Sequence, residues 1–297
     1  MRRDELGDSG CGIAQALGVL GDWRTILVLR ELAGGVSRFD ALQAELGLSR
    51  RALAELLHSL VADGVVERHP YSVHPPRVDY LLTRKGEAVV PALLALQDWG
   101  DRWVMGDGEG PTAEVAAHEH DRVAALVGER VPTVALPGTR GEVRLPAHDA
   151  WTVVFCFPGA FAPGDPGYPT GWDAVPGAAG CTLEAKAYER IAPALREAGA
   201  VVVGVSTQRA DQQLRFAEHA GLGYPLAADP DGRLAVALRL PTFRVAGAER
   251  YKRQSLLVDP DGVVQAVQAP ITDPAASAEQ MLERVRELAA LRPPRSA

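Results

Sequence analysis

The sequence predicts two domains of different class, an α+β winged helix-turn-helix domain followed by an α/β domain of the thioredoxin fold. Three observations predict this arrangement. The chain has 297 residues, which is more than one typical domain core needs. Its first 105 residues combine apolar side chains at helical spacing with two short strand-like runs. From residue 131 onward, strands alternate with helices and end in a strand pair and a closing helix.

Composition and charge narrow the class of protein. The chain is 47% hydrophobic and 23% charged without a long apolar run, which predicts a globular protein and no membrane partner. Charged residues at positions 2–5 stand where a signal peptide would begin, so we expect a cytoplasmic protein. The net charge is −7, and residues 1–110 are themselves acidic, with 12 Lys/Arg and 16 Asp/Glu. DNA binding would therefore depend on a local basic surface.

Helical spacing organises the start of the chain. Apolar residues predict three short helices, over residues 8–20, 22–32 and 37–46. Asp8 or Ser9 is expected to cap the first helix, and Ser37 with Asp40 resembles a capping box for the third.

The next helix carries the candidate nucleic-acid surface. Ser49 caps it after a turn of only two residues, which completes a helix-turn-helix pattern. Its inward face consists of Leu53, Leu56, Leu57, Leu60 and Val61. Its outward face presents Arg50, Arg51, Glu55 and His58, the surface expected to enter a DNA groove.

A wing and a further helix follow. Strands are predicted over 65–68 and 78–82, joined by a loop over 69–77 that is rich in proline and histidine. Thr83 starts a helix whose apolar stripe is longer than a three-helix core needs: Val89, Leu93, Leu96, Trp99 and Trp103. We expect part of this stripe to form a dimer seam.

The order of motifs over residues 9–105 resembles the HxlR family of winged-helix regulators. The resemblance is carried by Cys11 and by the segments GDWRTIL (21–27), REL (30–32), SRFD (37–40), DGVVER (63–68), PPRVDY (75–80) and LTRKG (82–86). It implies a homodimer that binds pseudo-palindromic double-stranded DNA.

The same resemblance implies six side chains that contact DNA. Three would meet base edges or phosphates from the second helix of the motif, namely Arg50, Arg51 and His58. Three would contact the DNA backbone near the wing, namely Arg68, Arg77 and Lys85. The alternative is that these are ordinary solvated charges.

The chain has three cysteines, Cys11, Cys156 and Cys181. They are too few and too scattered for a disulfide scaffold or a zinc site, so we expect no metal and no cofactor, and any special cysteine should be a reactive thiol. Cys11 lies near a helix N-terminus, which favours a thiolate, and some HxlR members use an N-terminal cysteine as an oxidant sensor. The alternative for Cys11 is a small buried hydrophobe.

The second half begins after a flexible break at residues 106–111. The expected boundaries are 1–106 for the winged-helix domain, 107–130 for a linker helix and 131–297 for the second domain. Strands are predicted over 133–136, 142–145, 151–157, 200–206, 253–259 and 263–268. Helices are predicted over 183–198, 209–220 and 275–291.

Cys181 is the candidate reactive thiol of this half. It follows a long Gly/Pro loop over 158–180 and precedes a helix, so backbone N–H groups at the helix start would stabilise a thiolate. A peroxide reacts with the thiolate and not with the thiol, so a lowered thiol pKa is the physical requirement. A helix N-terminus is a location that favours it.

Motifs from 131 to 290 resemble the AhpC/TSA and bacterioferritin-comigratory branch of the peroxiredoxins. They are GCTLEA (180–185), GVST (204–207), FAE (216–218), PL (225–226) with Asp229, and Arg253 ahead of SLLVDPDG (255–262). The segment GWDAVPGAAGC (171–181) is similar to a subgroup with an extended loop before the peroxidatic cysteine.

The resemblance assigns roles to three residues. Cys181 is the peroxidatic residue that peroxide oxidises to a sulfenic acid. Arg253 holds the thiolate and polarises the peroxide, and Glu184 orients Arg253. Alanines 174 and 178 replace a proline and a threonine that are common in the family, so the substrate hydroxyl contact is missing unless Thr182 or the rebuilt loop supplies it.

No resolving cysteine stands five residues after Cys181, where Lys186 is found. Cys156 lies between Phe155 and Phe157 in the central strand and is expected in the core. A cycle that uses an external thiol reductant, or an intersubunit bond to Cys11, remains open.

These observations favour a redox-responsive transcription regulator that senses peroxide or another small oxidant through Cys181. One alternative is a thiol-dependent peroxidase with one cysteine, whose winged helix serves dimerisation. Another is a regulator that binds a metabolite around Trp172 and Cys181.

Overall fold

The computed structural model describes residues 10–73, 76–108, 110–147, 149–165 and 167–291. The expected caps Asp8 and Ser9, and residues 74 and 75 of the predicted wing loop, lie outside this range. The chain divides into two compact units, Met1–Leu93 and Leu94–Ala297.

The first unit is helical with one antiparallel strand pair. Its elements are α1 (Gly12–Leu20), α2 (Trp23–Ala33), α3 (Phe39–Leu46), α4 (Arg50–Ala62), β1 (Val66–Val73), β2 (Pro76–Leu82) and α5 (Arg84–Glu87). This is the winged helix-turn-helix order that the sequence predicts, with α4 as the second helix of the motif and β1–β2 as the wing.

The core of this unit is centred on α4. Leu53, Leu57 and Leu60 are fully buried together with Leu42 of α3, as the apolar spacing predicts. Burying one such side chain stabilises the fold by about 1.5–3 kcal/mol. The Ser49 hydroxyl accepts a hydrogen bond from the Ala52 N–H at 3.2 Å and so begins the helix as expected.

Ser37 does not cap α3, so the expected capping box is wrong. Its hydroxyl instead donates to the Asp79 carboxylate on β2 at 2.9 Å, and the N-cap residue Arg38 makes no side-chain cap. A partner brought close by the tertiary fold displaces the local cap, which sequence spacing alone cannot reveal.

The wing strands are longer than predicted. Their pairing continues from Val66 opposite Leu82 to Val73 opposite Pro76, with a shift in register between Pro70 and Ser72. The register shift accommodates Pro70, which has no N–H for the ladder.

The helix predicted from Thr83 onward is interrupted. After α5 the chain continues as α6 (Val90–Gly100) and a π-helical turn, Asp101–Met105. Pro91 lacks an N–H and restricts the residue before it, which separates the two helices. Leu96, Trp99 and Trp103 are more than half exposed, and their part in a dimer seam stays a prediction.

The second unit is built on a seven-stranded sheet. Its helices are the part of α6 from Leu94 onward, α7 (Ala117–Ala124), α8 (Cys181–Glu197), α9 (Ala210–Ala220), α10 (Arg233–Ala237) and α11 (Ser277–Leu291). Its strands are β3 (Val134–Gly138), β4 (Gly141–Leu145), β5 (Trp151–Cys156), β6 (Ala200–Ser206), β7 (Leu226–Ala228), β8 (Thr242–Val245), β9 (Ala248–Tyr251), β10 (Gln254–Val258) and β11 (Val264–Gln268).

The sheet order is β11-β10-β5-β6-β7-β3-β4, and β8 and β9 form a separate hairpin. Parallel β5, β6 and β7 lie at its centre, flanked by antiparallel strands. This is the mixed sheet of a thioredoxin-like, peroxiredoxin fold, as predicted. Phe155 of β5 stacks on Tyr188 of α8 with ring centroids 4.4 Å apart, which fixes α8 against the sheet.

Within the described residues, no single helix is long and apolar enough to cross a membrane. Helices α1 and α2 taken together have the length and composition of a membrane span, but the chain bends by 79° between them.

Replacing Leu57 by alanine should lower the free energy of unfolding of the first unit by about 3 kcal/mol, because the side chain is fully buried and leaves a cavity. Urea denaturation followed by circular dichroism measures this change. Leu81→Ala is the matched control, since Leu81 is 40% exposed. Equal shifts of the two midpoints would contradict the assignment of α4 to the core.

Candidate thiol site and nucleic-acid interface

Cys181 is the first residue of α8 and is 3% exposed. The preceding Gly180 has a φ of +99°, and a Cβ at this position would lie 2.8 Å from the Pro274 side chain. Only glycine satisfies both conditions, so the chain turns into the helix at this residue. The turn brings the sulfur to the N-terminal end of a 17-residue helix.

Within the part of the chain that the structure describes, the Cys181 sulfur has two hydrogen-bond partners. Nη2 of Arg253 lies 3.3 Å from Sγ, and Sγ lies 3.5 Å from the carbonyl oxygen of Ala178, to which the thiol can donate. The same Nη2 donates to the carbonyl oxygens of Ala179 at 2.9 Å and Gly177 at 3.3 Å. The loop before the cysteine therefore holds the guanidinium against the sulfur.

Glu184 holds the other side of Arg253. Nη1 of Arg253 donates to its carboxylate, and both side chains are almost fully buried. Burial raises the pKa of Glu184 to about 7, although Arg253 and the Ser277 hydroxyl favour the ionised form. Because Glu184 follows Cys181 by three residues, sulfur and carboxylate lie on one face of α8 and meet the same arginine.

Aromatic side chains lie on the loop that leads to Cys181. Ring centroids are 4.9 Å apart for Phe161 and Tyr168 and 5.6 Å apart for Tyr168 and Trp172. Burial raises the pKa of Tyr168, and the electrostatic interaction with Cys181 acts in the same direction, while a hydrogen bond with Thr182 acts in the opposite direction. Thr182 is half-buried, and the structure gives its hydroxyl this partner on the loop.

The two alanines that depart from the family pattern have different surroundings. Ala178 is buried in an apolar cluster with Trp172 and Phe243, whereas Ala174 is exposed. The position that commonly carries a threonine hydroxyl therefore contributes a methyl group to packing.

The contacts of the segment before α7 were not predicted from the sequence. Ala113 is fully buried, its N–H donates to the carbonyl oxygen of Pro176 at 2.8 Å, and its carbonyl oxygen accepts from the Arg253 N–H at 2.9 Å. Lys252 forms a buried ion pair with Glu119 of α7 at 2.7 Å. This segment is therefore tied to both the cysteine loop and the strand end that carries Arg253.

The other two cysteines have different environments. Cys156 is fully buried in β5, and burial, reinforced by the charges of Asp229 and Glu184, raises its pKa far above the ordinary value. Cys11 is exposed at the start of α1, where hydrogen bonds from the backbone of Ala14 and Ile13 lower its pKa. Cys156 and Cys181 are free thiols.

The described residues contain no group of three or more His, Cys, Asp or Glu that could hold a metal ion.

The candidate nucleic-acid interface is formed by α4 and the wing. Arg50 and Arg51 occupy the first turn of α4, where Arg50 contacts Asp40 at 3.1 Å and Arg51 contacts Glu55 at 2.8 Å, all of them exposed. His58 lies two turns further along the helix and is exposed. The arginines are therefore in exposed ion pairs that an incoming phosphate can replace.

The wing residues are exposed as well. The guanidinium of Arg68 lies over the Tyr80 ring, 5.7 Å from its centroid, and Arg77 follows on β2. Lys85 donates to the Asp63 carbonyl oxygen at the end of α4, at 2.8 Å. Arg38 was not predicted for this surface; its side chain is 66% exposed and lies over the Tyr71 ring of the wing.

Comparison with known proteins matches each half to a family. The profile of the HxlR-like helix-turn-helix family matches residues 19–107, and that of the AhpC/TSA family matches residues 174–267.

Curated relatives match the first half. An uncharacterized HTH-type transcriptional regulator of Mycobacterium tuberculosis is 38% identical over 109 residues, which are 37% of this chain and 68% of the relative. Another, from Methanothermobacter thermautotrophicus, is 36% identical over 100 residues, which are 33% of this chain and 76% of the relative.

Among solved structures, the peroxidoxin BcpB of Mycobacterium tuberculosis is similar to the second half. It is 28% identical, with a TM-score of 0.46, and the match covers 56% of this chain and 98% of the other. The chain belongs to the HxlR-like helix-turn-helix family of transcription regulators and carries a peroxiredoxin-like domain of the AhpC/TSA family after its helix-turn-helix domain.

Proposed function

We propose that this protein is a redox-responsive transcription regulator that binds operator DNA as a homodimer and senses peroxide or another thiol oxidant through Cys181. The observation that carries the proposal is the 3.3 Å contact between the Arg253 guanidinium and the Cys181 sulfur, in a chain that also contains a helix-turn-helix domain. Neither half alone would couple oxidant chemistry to DNA binding.

The chemistry is a two-electron oxidation of the thiolate. The sulfur attacks one peroxide oxygen, a sulfur–oxygen bond forms and the oxygen–oxygen bond breaks. The leaving oxygen departs as an alkoxide or hydroxide and takes a proton from water. The sulfur becomes a sulfenic acid, and the peroxide is reduced to an alcohol or water.

Arg253 supports both ends of this step. Its positive charge would stabilise the thiolate, and its Nη2, 3.3 Å from the sulfur, would donate to the bound peroxide oxygen on which negative charge develops. Glu184 is a positioning residue, because it contacts the arginine and not the sulfur.

Oxidation adds an oxygen atom to a sulfur that is 3% exposed, so the surrounding loop has to move. That loop and the backbone of Arg253 are both hydrogen-bonded to Ala113, in the segment that follows the helix-turn-helix domain in sequence. These hydrogen bonds support a route from the sulfur to the DNA-binding half. A change in the spacing of two recognition helices would then change affinity for a two-fold operator.

Peroxide should change the affinity of the full-length protein for its promoter DNA, and Cys181→Ser should abolish the response because the oxidisable sulfur is lost. A mobility-shift titration before and after peroxide measures this. Cys156→Ala is the control that should keep the response, since Cys156 is fully buried.

An unchanged affinity after verified oxidation of Cys181 would overturn the sensor proposal. Sustained peroxide consumption with an added thiol, together with unchanged DNA binding, would instead indicate the thiol peroxidase. If Cys11→Ser also abolishes the response, a disulfide to Cys11, visible on a non-reducing gel, carries the signal.

Replacing Arg253 by methionine should slow oxidation of Cys181 by about 100-fold, because the charge beside the sulfur and a donor to the leaving oxygen are both lost. The rate of sulfenic acid trapping measures this. Arg253→Lys keeps the charge without all the contacts and should give an intermediate rate. Arg190→Met, at an exposed arginine on α8, should leave the rate unchanged. A normal rate in Arg253→Met would remove Arg253 from the mechanism.

Arg50→Ala should weaken binding to operator DNA by about 1–3 kcal/mol, since an exposed arginine at the start of the recognition helix contributes a base or phosphate contact. Fluorescence anisotropy at fixed salt measures the dissociation constant. Arg190→Ala, in the second domain, is the control. Equal affinities of the Arg50 variant and the control would show that Arg50 is only a solvated charge.

A further inference from the structure

A cavity of about 700 Å³ lies within the second unit, and its lining includes neither Cys181 nor Arg253. Its walls come from the end of α6 and the turn after it, the segment before α7, residues 174–176 of the cysteine loop, and β8. Ligand pockets in proteins have volumes of about 300–1,000 Å³. The cavity is therefore large enough to hold a small organic molecule.

Negative charge prevails in this cavity. Among the described residues, five acidic side chains line it against two basic ones, Arg102 and Lys252. Two of the acidic side chains are compensated, because Asp101 is paired with Arg122 at 2.7 Å and Glu119 is paired with Lys252. The other carboxylates give the lining an excess of negative charge that a cationic ligand would balance.

Asp98 of α6 is half-buried, and its carboxylate forms no hydrogen bond or ion pair with any described residue. Burial raises its pKa, although the charges of Arg102 and Lys252 act in the opposite direction. Burial also raises the pKa of Glu249, and the charge of the nearby Asp98 adds to this. Both carboxylate oxygens of Glu249 are buried without a hydrogen bond to a described residue, and Arg244 lies 3.6 Å away. A cation beside Asp98 would stabilise both carboxylates.

Two further polar side chains of the lining lack partners. The Thr242 hydroxyl belongs to a residue that is 1% exposed and lies near the Glu249 carboxylate, yet it makes no hydrogen bond of normal geometry with any described residue. Nε2 of His118 is buried and equally without a partner in this part of the chain. A hydroxyl oxygen and an imidazole nitrogen can each accept from an N–H donor. Since buried polar atoms are normally hydrogen-bonded, these two point to a donor that enters the cavity.

Glu114 supplies a second unpaired carboxylate on another wall. It belongs to the segment before α7, is exposed, and forms no side-chain hydrogen bond or ion pair with any described residue. The lining also contains apolar surface from Pro111, Ala174 and Pro176, all of them exposed or half-buried. Two separate carboxylates and an apolar surface suit a linear molecule with a cationic group at each end and an aliphatic chain between them.

We propose that this cavity is a binding site for a linear aliphatic amine with at least two ammonium groups, one on Asp98 and one on Glu114. The ammonium on Asp98 has further N–H donors for Thr242 and His118, and the aliphatic chain lies against the proline and alanine side chains. A metal ion fits less well, because the described residues contain no group of three or more His, Cys, Asp or Glu that could hold one. The site is independent of the proposed function, since binding requires no reaction of Cys181.

Isothermal titration calorimetry of the full-length protein with spermidine, at fixed ionic strength, should show saturable binding of one molecule per chain. Asp98→Asn and Glu114→Gln should each weaken this binding by about tenfold, because each removes one charge-assisted hydrogen bond. Glu218→Gln, at an exposed position of α9 outside the cavity, removes the same charge and should bind like the wild type. Butylamine, which has a single ammonium group, should bind about tenfold more weakly than spermidine.

Ala174→Lys is a second test that removes no existing contact. It places an ammonium group at an exposed position of the lining and should weaken spermidine binding as well. Circular dichroism checks that each variant is folded.

The absence of saturable binding overturns the inference, and so does an affinity that Asp98→Asn, Glu114→Gln or Ala174→Lys leaves unchanged. An equal loss in Glu218→Gln would show general attraction of a polycation to an acidic protein and would overturn it too. Equal affinities for butylamine and spermidine would contradict the two-ended site. Cys181→Ser should bind spermidine like the wild type, so a failure of the proposed function leaves this result intact.

Discussion

The buried contact between Arg253 and Glu184 is the interaction on which the thiol site depends. Taking both charges out of water costs several kcal/mol per ion, and hydrogen bonds to the remaining donors offset part of this cost. Carbonyl oxygens of Gly177 and Ala179 and the Cys181 sulfur accept from Nη2 of the guanidinium, whereas its buried Nε has no acceptor among the described residues. The start of α8, the loop before it and the strand end at β10 therefore share one charged group, and none of them can shift alone.

This constraint extends to the segment around Ala113. Its two backbone hydrogen bonds, to Pro176 and from Arg253, link the cysteine loop and the arginine by main-chain atoms. The ion pair of Lys252 and Glu119 holds α7 beside them. Packed interiors respond to an added atom by switching between arrangements more readily than by continuous deformation. A sulfur held in such a network is consequently well suited to control a neighbouring segment of the chain.

The elements whose sequence pattern has a single physical cause were predicted correctly. The period of α4 and the unbroken apolar run of β6 predicted both elements almost to the residue, because burial dictates the spacing. Cys181 followed from its place before a predicted helix, and Glu184 and Arg253 followed from family resemblance. The β8–β9 hairpin and the contacts of Ala113 were not predicted, since short strands and backbone hydrogen bonds between distant segments leave no periodic signal.

The environment of the cysteines bears on the choice between sensor and peroxidase. A peroxidase has to reduce its sulfenic acid in every cycle, and the only other thiol of the second domain, Cys156, is fully buried in β5 with a raised pKa. Such a thiol is a poor nucleophile for resolving the oxidised sulfur. Under the proposed function, reduction would depend on Cys11 or on an external thiol, and a slow reduction would prolong the oxidised state. A long-lived sulfenic acid limits turnover in an enzyme, but it gives a DNA-binding protein the time to change its occupancy of an operator. The same feature that weakens the enzymatic interpretation therefore strengthens the regulatory one.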